Sequence, residues 1–154
     1  MPTELHRLIY ASRWAPGLER DLPHAVKTII ASSIANNRTS DLTGMLLAHE
    51  GWFIQALEGC RGSIAKVMDK IFKDPRHMEP HVLCAGPVTS RAFREWNMTA
   101  AAAGPEAQPF LAELGLLTEF DPRTLDGASA FRLMLALAEV ERARERTALG
   151  LSAA

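Results

Sequence analysis

Gln55 stands where chemistry is least expected. It sits between Ile54 and Ala56 in Trp52–Leu57, a run that otherwise reads as a buried strand. Its amide carries two donors and two acceptor lone pairs into an apolar layer. Leaving them unpaired costs roughly 1–3 kcal/mol. A backbone group or an ordered water is the ordinary partner; a ligand edge bearing both donors and acceptors is the alternative. Tyr10 lies in the run Leu5–Ser12, where it reads as a core aromatic with its hydroxyl satisfied at the rim. The paired amides of Asn36 and Asn37 close a helical pattern, a place where asparagine also serves as an ordinary helix stop. Arg76 and His77 follow Asp74-Pro75 in what reads as a loop, where charge is usually just solvated.

These residues need elements to place them. Leu5–Ser12 predicts a first strand, with Tyr10 and Ile9 on opposite faces. Pro16-Gly17 marks a turn. Leu22, Val26, Ile29, Ile30 and Ser33 recur at helical spacing, so a helix from Leu22 to Ile34 is expected, capped by Asp21 and ending near Asn36-Asn37. Thr43–Ala48 and Trp52–Leu57 form a hairpin around His49-Glu50-Gly51. Ser63 caps a predicted helix over Ile64–Phe72, which Pro75 stops. Val82–Val88 predicts a fourth strand. Trp96–Ala100 predicts a fifth, in which period-two alternation gives Trp96 and Met98 one shared face. The order β-α-β-β-α-β plus one strand is the ferredoxin-like α+β arrangement. Two helices on one face leave the other sheet face open. A small-residue connector follows, then a short helix over Pro109–Leu114 and a long helix from about Ser129 to Leu149. The first half of that long helix is apolar (Phe131, Met134, Leu135, Ala138), suited to cover the open face.

With 154 residues, 47% apolar and 23% charged, the chain suits one domain with a C-terminal appendage; the division expected is 1–104 and 105–154. Its 17 basic and 18 acidic residues, net charge −1, leave no footprint for nucleic acid or an anionic membrane. Cys60 and Cys84 lack metal-type spacing, no apolar run spans a bilayer, and the N-terminus has no signal-peptide pattern. The expected location is the cytoplasm.

Several ordered pieces resemble the BLUF domain, the blue-light sensor that uses flavin. They are Leu8-Ile-Tyr10-Ala-Ser12, Asn36-Asn37, Leu42-Thr43-Gly44-Met-Leu-Leu, Phe53-Ile-Gln55-Ala-Leu57-Glu58-Gly59, Asp74-Pro-Arg76-His77 and Arg91-Ala-Phe93-Arg-Glu-Trp96-Asn-Met98. The similarity covers Leu5 to Met98. It implies that Tyr10 is the photoactive tyrosine and that Gln55 links it to the flavin. Asn37 would bond the flavin edge with Asn36 beside it, and Ile30 would pack on the ring. Ser12 would lie near the tyrosine, Trp96 and Met98 would be the strand-five pair near the flavin, and Arg76 and His77 a loop element of open role. The loop Arg13–Arg20, which carries Trp14, departs from the family pattern by being slightly longer.

By the same resemblance, the implied cofactor is FAD, with FMN or riboflavin as substitutes. The implied function is non-enzymatic: light drives an electron and a proton from Tyr10 through Gln55, and the rearranged hydrogen bonds are signalled through strand five and the C-terminal helices. About fifty residues follow the match, too few for a typical cyclase or phosphodiesterase domain, so a protein partner or a homo-oligomer is the implied route of output. A flavin-free interaction or ligand-binding module on the same scaffold is the competing reading. An acylphosphatase-like hydrolase is a third, disfavoured because no Gly-rich phosphate loop follows strand one.

Overall fold

The computed structural model describes residues 4–150. A five-stranded sheet of order β4-β1-β3-β2-β5 carries two helices on one face and the C-terminal helices on the other. β1 (Leu5–Trp14) leads through a short turn to α1 (Leu22–Ser40), then to the hairpin β2 (Thr43–His49) and β3 (Trp52–Cys60). α2 (Arg61–Lys73), β4 (His77–Pro87) and β5 (Ala100–Ala101) follow, with α3 (Gln108–Glu113) and α4 (Gly127–Ala148) closing the chain. β1 is antiparallel to both β3 and β4, β2 is antiparallel to β3, and β5 runs parallel to β2. This is the ferredoxin-like arrangement with an added strand. Among the described residues, no helix is long and apolar enough to cross a membrane.

Period-two alternation divides the core. Ile9, Ala11, Met45, Leu47, Ile54 and Ala56 face α4, where Ala130, Leu133, Met134, Leu137 and Ala138 cover them. Tyr10, Leu46, Phe53 and Leu57 face α1 and α2, where Ile29, Ile64, Met68 and Ile71 meet them. The long C-terminal helix therefore covers the sheet face that two helices alone would leave open, burying surface at roughly 25 cal/mol per Å².

Several boundaries differ from the sequence reading. α1 does not stop at Asn36-Asn37 but runs to Ser40, where Asp41 takes the left-handed conformation (φ 54°) and its N–H bonds the Asn37 carbonyl. Asparagine breaks helices when its side chain competes for local backbone; Asn37 instead spends its amide on a distant carbonyl, so the helix continues. Asp21 precedes α1 without a capping hydrogen bond. The hairpin loop is only Glu50-Gly51, both at positive φ as a two-residue primed turn requires, and His49 remains in β2. α2 begins at Arg61, so Ser63 lies inside it rather than capping it.

β4 starts at His77 rather than Val82, because His77 pairs with Trp14 on the lengthened β1. As an edge strand it tolerates Pro80. The expected strand from Trp96 to Ala100 shrinks to Ala100–Ala101. The residues before it lie against β2 without strand pairing, tied by the Gly44 N–H to the Trp96 carbonyl (3.0 Å) and by the Asn97 amide to the Leu42 carbonyl (3.0 Å). Without a pleat the alternation fails. Trp96 packs in the α4 layer and Met98 in the α1–α2 layer, so the expected shared face is not observed. Gly44 makes room for this: a Cβ there would collide with the Ala56 carbonyl and press on Met98 Cε at 3.2 Å.

Candidate functional site

Tyr10 and Gln55 are directly opposite in the β1–β3 register, and cross-strand partners share a face. Both are buried, Tyr10 wholly and Gln55 to 3% exposure. The Tyr10 hydroxyl donates to Gln55 Oε1 in a short hydrogen bond. On its other side the Gln55 Nε2 donates to Met98 Sδ at 3.4 Å. A thioether is a weak acceptor, so one half of the amide is strongly held and the other loosely.

Asn37 adds a second buried amide, 2% exposed, whose Nδ2 donates to the Asn97 carbonyl at 2.8 Å. Asn36, Asn37 and Gln55 line one cleft between α1 and α2, walled by Ile29, Val67 and Ile71. Ser32, Ser33, Lys70 and the Asp74–Arg76 pair complete its rim. Ile29, rather than the expected Ile30, lies on this lining; Ile30 packs half-buried against the same apolar layer.

His77 also lines the cleft, and Ser12 meets it there. Ser12 Oγ lies 2.8 Å from His77 Nδ1, and both residues are buried. The His77 ring stacks at a tilt on Phe53, centroids 4.8 Å apart, and stands 6.2 Å from the Tyr10 ring. Burial lowers the His77 pKa to about 4, against the opposing pull of Asp74 and with help from Arg76, so the imidazole is neutral near pH 7. Burial, assisted by the Asp74 charge, pushes the Tyr10 phenol far above its ordinary value and rules out a standing phenolate. Arg76 is bound by Asp74 at 2.7–3.1 Å and reaches Thr28 Oγ1 at 3.2 Å. The pair is a local ion bridge on the rim, and Arg76 holds the Asp74 carboxyl below its usual range against the cost of burial.

Trp96 does not reach this cleft. It is 8% exposed on the opposite sheet face, where its Nε1 donates to Glu145 Oε1 of α4 at 2.7 Å and the Arg142 guanidinium lies 5.4 Å from the ring. Trp14, expected in the loop after strand one, is instead the last residue of β1; it packs against Phe53 and donates its Nε1 to the Trp52 carbonyl at 2.9 Å.

A family model described as BLUF, sensors of blue-light using FAD, matches residues 5–99. The chain belongs to the BLUF family. The BLUF family is one of blue-light sensors that use flavin. The photoactivated adenylate cyclase subunit beta of Euglena gracilis is 31% identical over 96 residues, 62% of this chain and 11% of that protein. The chain thus spans about a tenth of the length of the curated relatives it matches. Among solved structures, the photo-activated state of BlsA is 26% identical with a TM-score of 0.80, covering 87% of this chain and 94% of that one. The dark state of BlrB, a BLUF protein, is 29% identical with a TM-score of 0.70, covering 88% and 98%.

The donor set fits an isoalloxazine edge, which offers carbonyl oxygens, an acceptor nitrogen and an N–H to the amides of Asn37 and Gln55. The free volume of the cleft is about 90 Å³. Ligand pockets usually hold roughly 300–1,000 Å³, so the cleft is narrower than usual as it stands. Ile29 and Lys70 were not singled out from the sequence as site residues, whereas Asp74 stood in the BLUF-like Asp74-Pro-Arg76-His77 motif. The i, i+8 relation of Ile29 to Asn37 could have found the first; no local signal marks Lys70.

Proposed function

We infer that this BLUF domain is a blue-light photoreceptor whose switch is the Tyr10–Gln55 pair, with FAD as its cofactor. The observation that carries this reading is the buried hydrogen bond from the Tyr10 hydroxyl to Gln55 Oε1, with only a sulfur opposite. Asn37 and Gln55 hold the flavin edge, Ile29 packs on the ring, and Asn36 and Lys70 stand at the rim. When bound, the flavin supplies blue-light absorption and a place for an electron.

Tyr10 gives up an electron and a proton, and the proton does not leave ahead of the electron, because the buried site disfavours a phenolate. The proton has a ready path along the bond to Gln55 Oε1. As electron and proton return, the Gln55 amide settles rotated or tautomerised. The weak Met98 contact opposes that change little, whereas a strong acceptor in its place would lock the amide. No covalent bond forms and no net redox change remains. His77 is neutral and held by Ser12, so it adds no charge beside Tyr10.

The altered amide reaches Met98, and Trp96 two residues earlier is bonded to α4 through Glu145. This continuity supports output from Gln55 through the 91–98 segment to α4 and on to a protein partner, in the cytoplasm.

The test is the visible absorption of the purified protein before and after blue light. A flavin spectrum with a reversible red shift is expected. Tyr10→Phe should keep its flavin and lose the shift; an intact shift in that variant sinks the role of Tyr10. A protein that takes up no flavin on reconstitution would hand the scaffold to the flavin-free reading.

A further inference from the structure

The stretch from Val88 to Thr99 poses a problem of placement. It has no strand pairing of its own, yet it buries Phe93, Trp96 and Met98. It also sends Trp96 to one side of the sheet and Met98 to the other. Slipping it by two residues would offer Trp96 in the place of Met98. Two backbone bonds to β2 flank Met98, from the Gly44 N–H to the Trp96 carbonyl (3.0 Å) and from the Leu46 N–H to the Thr99 carbonyl (2.8 Å), but the stretch before them needs an anchor of its own.

Glu58 stands where that could be done. It is fully buried on the α4 face of β3, away from the flavin cleft, because it alternates with Leu57. Its Oε1 accepts the Phe93 N–H at 2.7 Å; its Oε2 accepts the Ala92 N–H at 2.8 Å and Arg7 Nε at 2.8 Å. The Arg7 guanidinium lies over the Phe131 ring at 4.1 Å and reaches the Ser90 carbonyl at 3.3 Å. From the segment itself, Arg91 reaches back to the Glu58 carbonyl (3.1 Å), Thr43 Oγ1 (2.9 Å) and the Asp41 carbonyl (2.8 Å). A buried charge persists only when paired and hydrogen-bonded. Two of the three donors to this carboxylate are backbone N–H groups of the segment, so the charge pins the chain against β3 at this point. Which residues stand there is fixed by the Arg91 side chain and by the fully buried Phe93 beside it, so carboxylate and side chains together select one position. From that anchor the path runs five residues to Met98, whose sulfur faces Gln55.

We propose that Glu58 is the positioning residue of the light switch. Its buried carboxylate pins the segment where Arg91 and Phe93 fix its register, and so keeps Met98, and not Trp96, against Gln55. This rests on the photoreceptor reading above. Glu58 touches neither the cleft nor the Tyr10–Gln55 pair, so it acts through Met98 alone.

The test is a double-mutant cycle on flavin-loaded protein, read as the rate at which the light-shifted spectrum recovers in the dark. Glu58→Gln keeps the volume but offers one acceptor oxygen to three donors. It should retain flavin and change the recovery rate by about threefold or more, toward the low end of coupling within one network. In a Met98→Ala background the same substitution should change nothing further. A residue that merely supported the fold would act by the same factor in both backgrounds. Should Glu58→Gln fail to fold, Arg91→Gln loosens the same segment and enters the same cycle. An unchanged recovery rate, or equal effects in both backgrounds, overturns the proposal while leaving the photoreceptor reading intact. A wild-type protein without flavin or without a shift overturns that reading itself.

Discussion

Replacing Gln55 by leucine tests the central hydrogen bond by its energy. Tyr10 has no exposed surface, and Gln55 has 3%. In Gln55→Leu the phenol hydroxyl loses its only acceptor among the described residues, with no route to water. That group then carries its full desolvation penalty, roughly 1–3 kcal/mol. Tyr10→Phe strands Gln55 Oε1 for a similar loss. Removing both partners leaves an apolar contact, for which the net cost falls to about 1 kcal/mol or less. The expected coupling is therefore about 1–3 kcal/mol. The assay is urea or thermal unfolding of the four proteins in the dark. For a chain of this size each kcal/mol moves Tm by about 2–4 °C. Runs at two flavin concentrations separate changes in flavin affinity, which enter apparent stability by mass action. Additive single effects would refute the reasoning, since they would mean that the two groups do not satisfy each other.

Two further outcomes are expected. Folded His77 stays neutral down to about pH 4, whereas an unfolded histidine takes its proton near 6.5. The unfolded chain thus binds more protons in that window, and stability should fall as pH drops from 6.5 to 4, by on the order of 3 kcal/mol in total. Unfolding of His77→Gln across the same range should show a flatter curve, and parallel curves would remove His77 as the cause. Trp96→Phe loses the Glu145 bond and should cost about 1 kcal/mol in denaturant unfolding. Its flavin spectrum and light shift should match the wild type; an altered shift would count against the placement of Trp96 in the α4 layer.

The sequence by itself determined the architecture and the pair at its centre. Alternation in β1, β2 and β3 marks which side chains share a face, and helical spacing in α1 and α2 marks which cover them. An amide in the buried run Trp52–Leu57 and ordered BLUF-like motifs pointed to Tyr10, Asn37 and Gln55, because local periodicity and residue chemistry are written along the chain. The course of Val88–Thr99 was decided only by the tertiary structure. The alternating pattern of Trp96–Ala100 favours a pleated strand, but contacts from Glu58, Arg91 and Asn97 outweigh it, and each joins residues more than thirty positions apart. The same is true of α1, whose Asn37 finds its partner sixty residues away and so does not end the helix. His77 likewise becomes a buried strand residue because β1 lengthens to meet it. Local propensity is worth tenths of a kcal/mol per residue, whereas a buried charged or amide group left unpaired costs several times more. Where the two conflict the distant partner prevails, and only the folded chain reveals which partner that is.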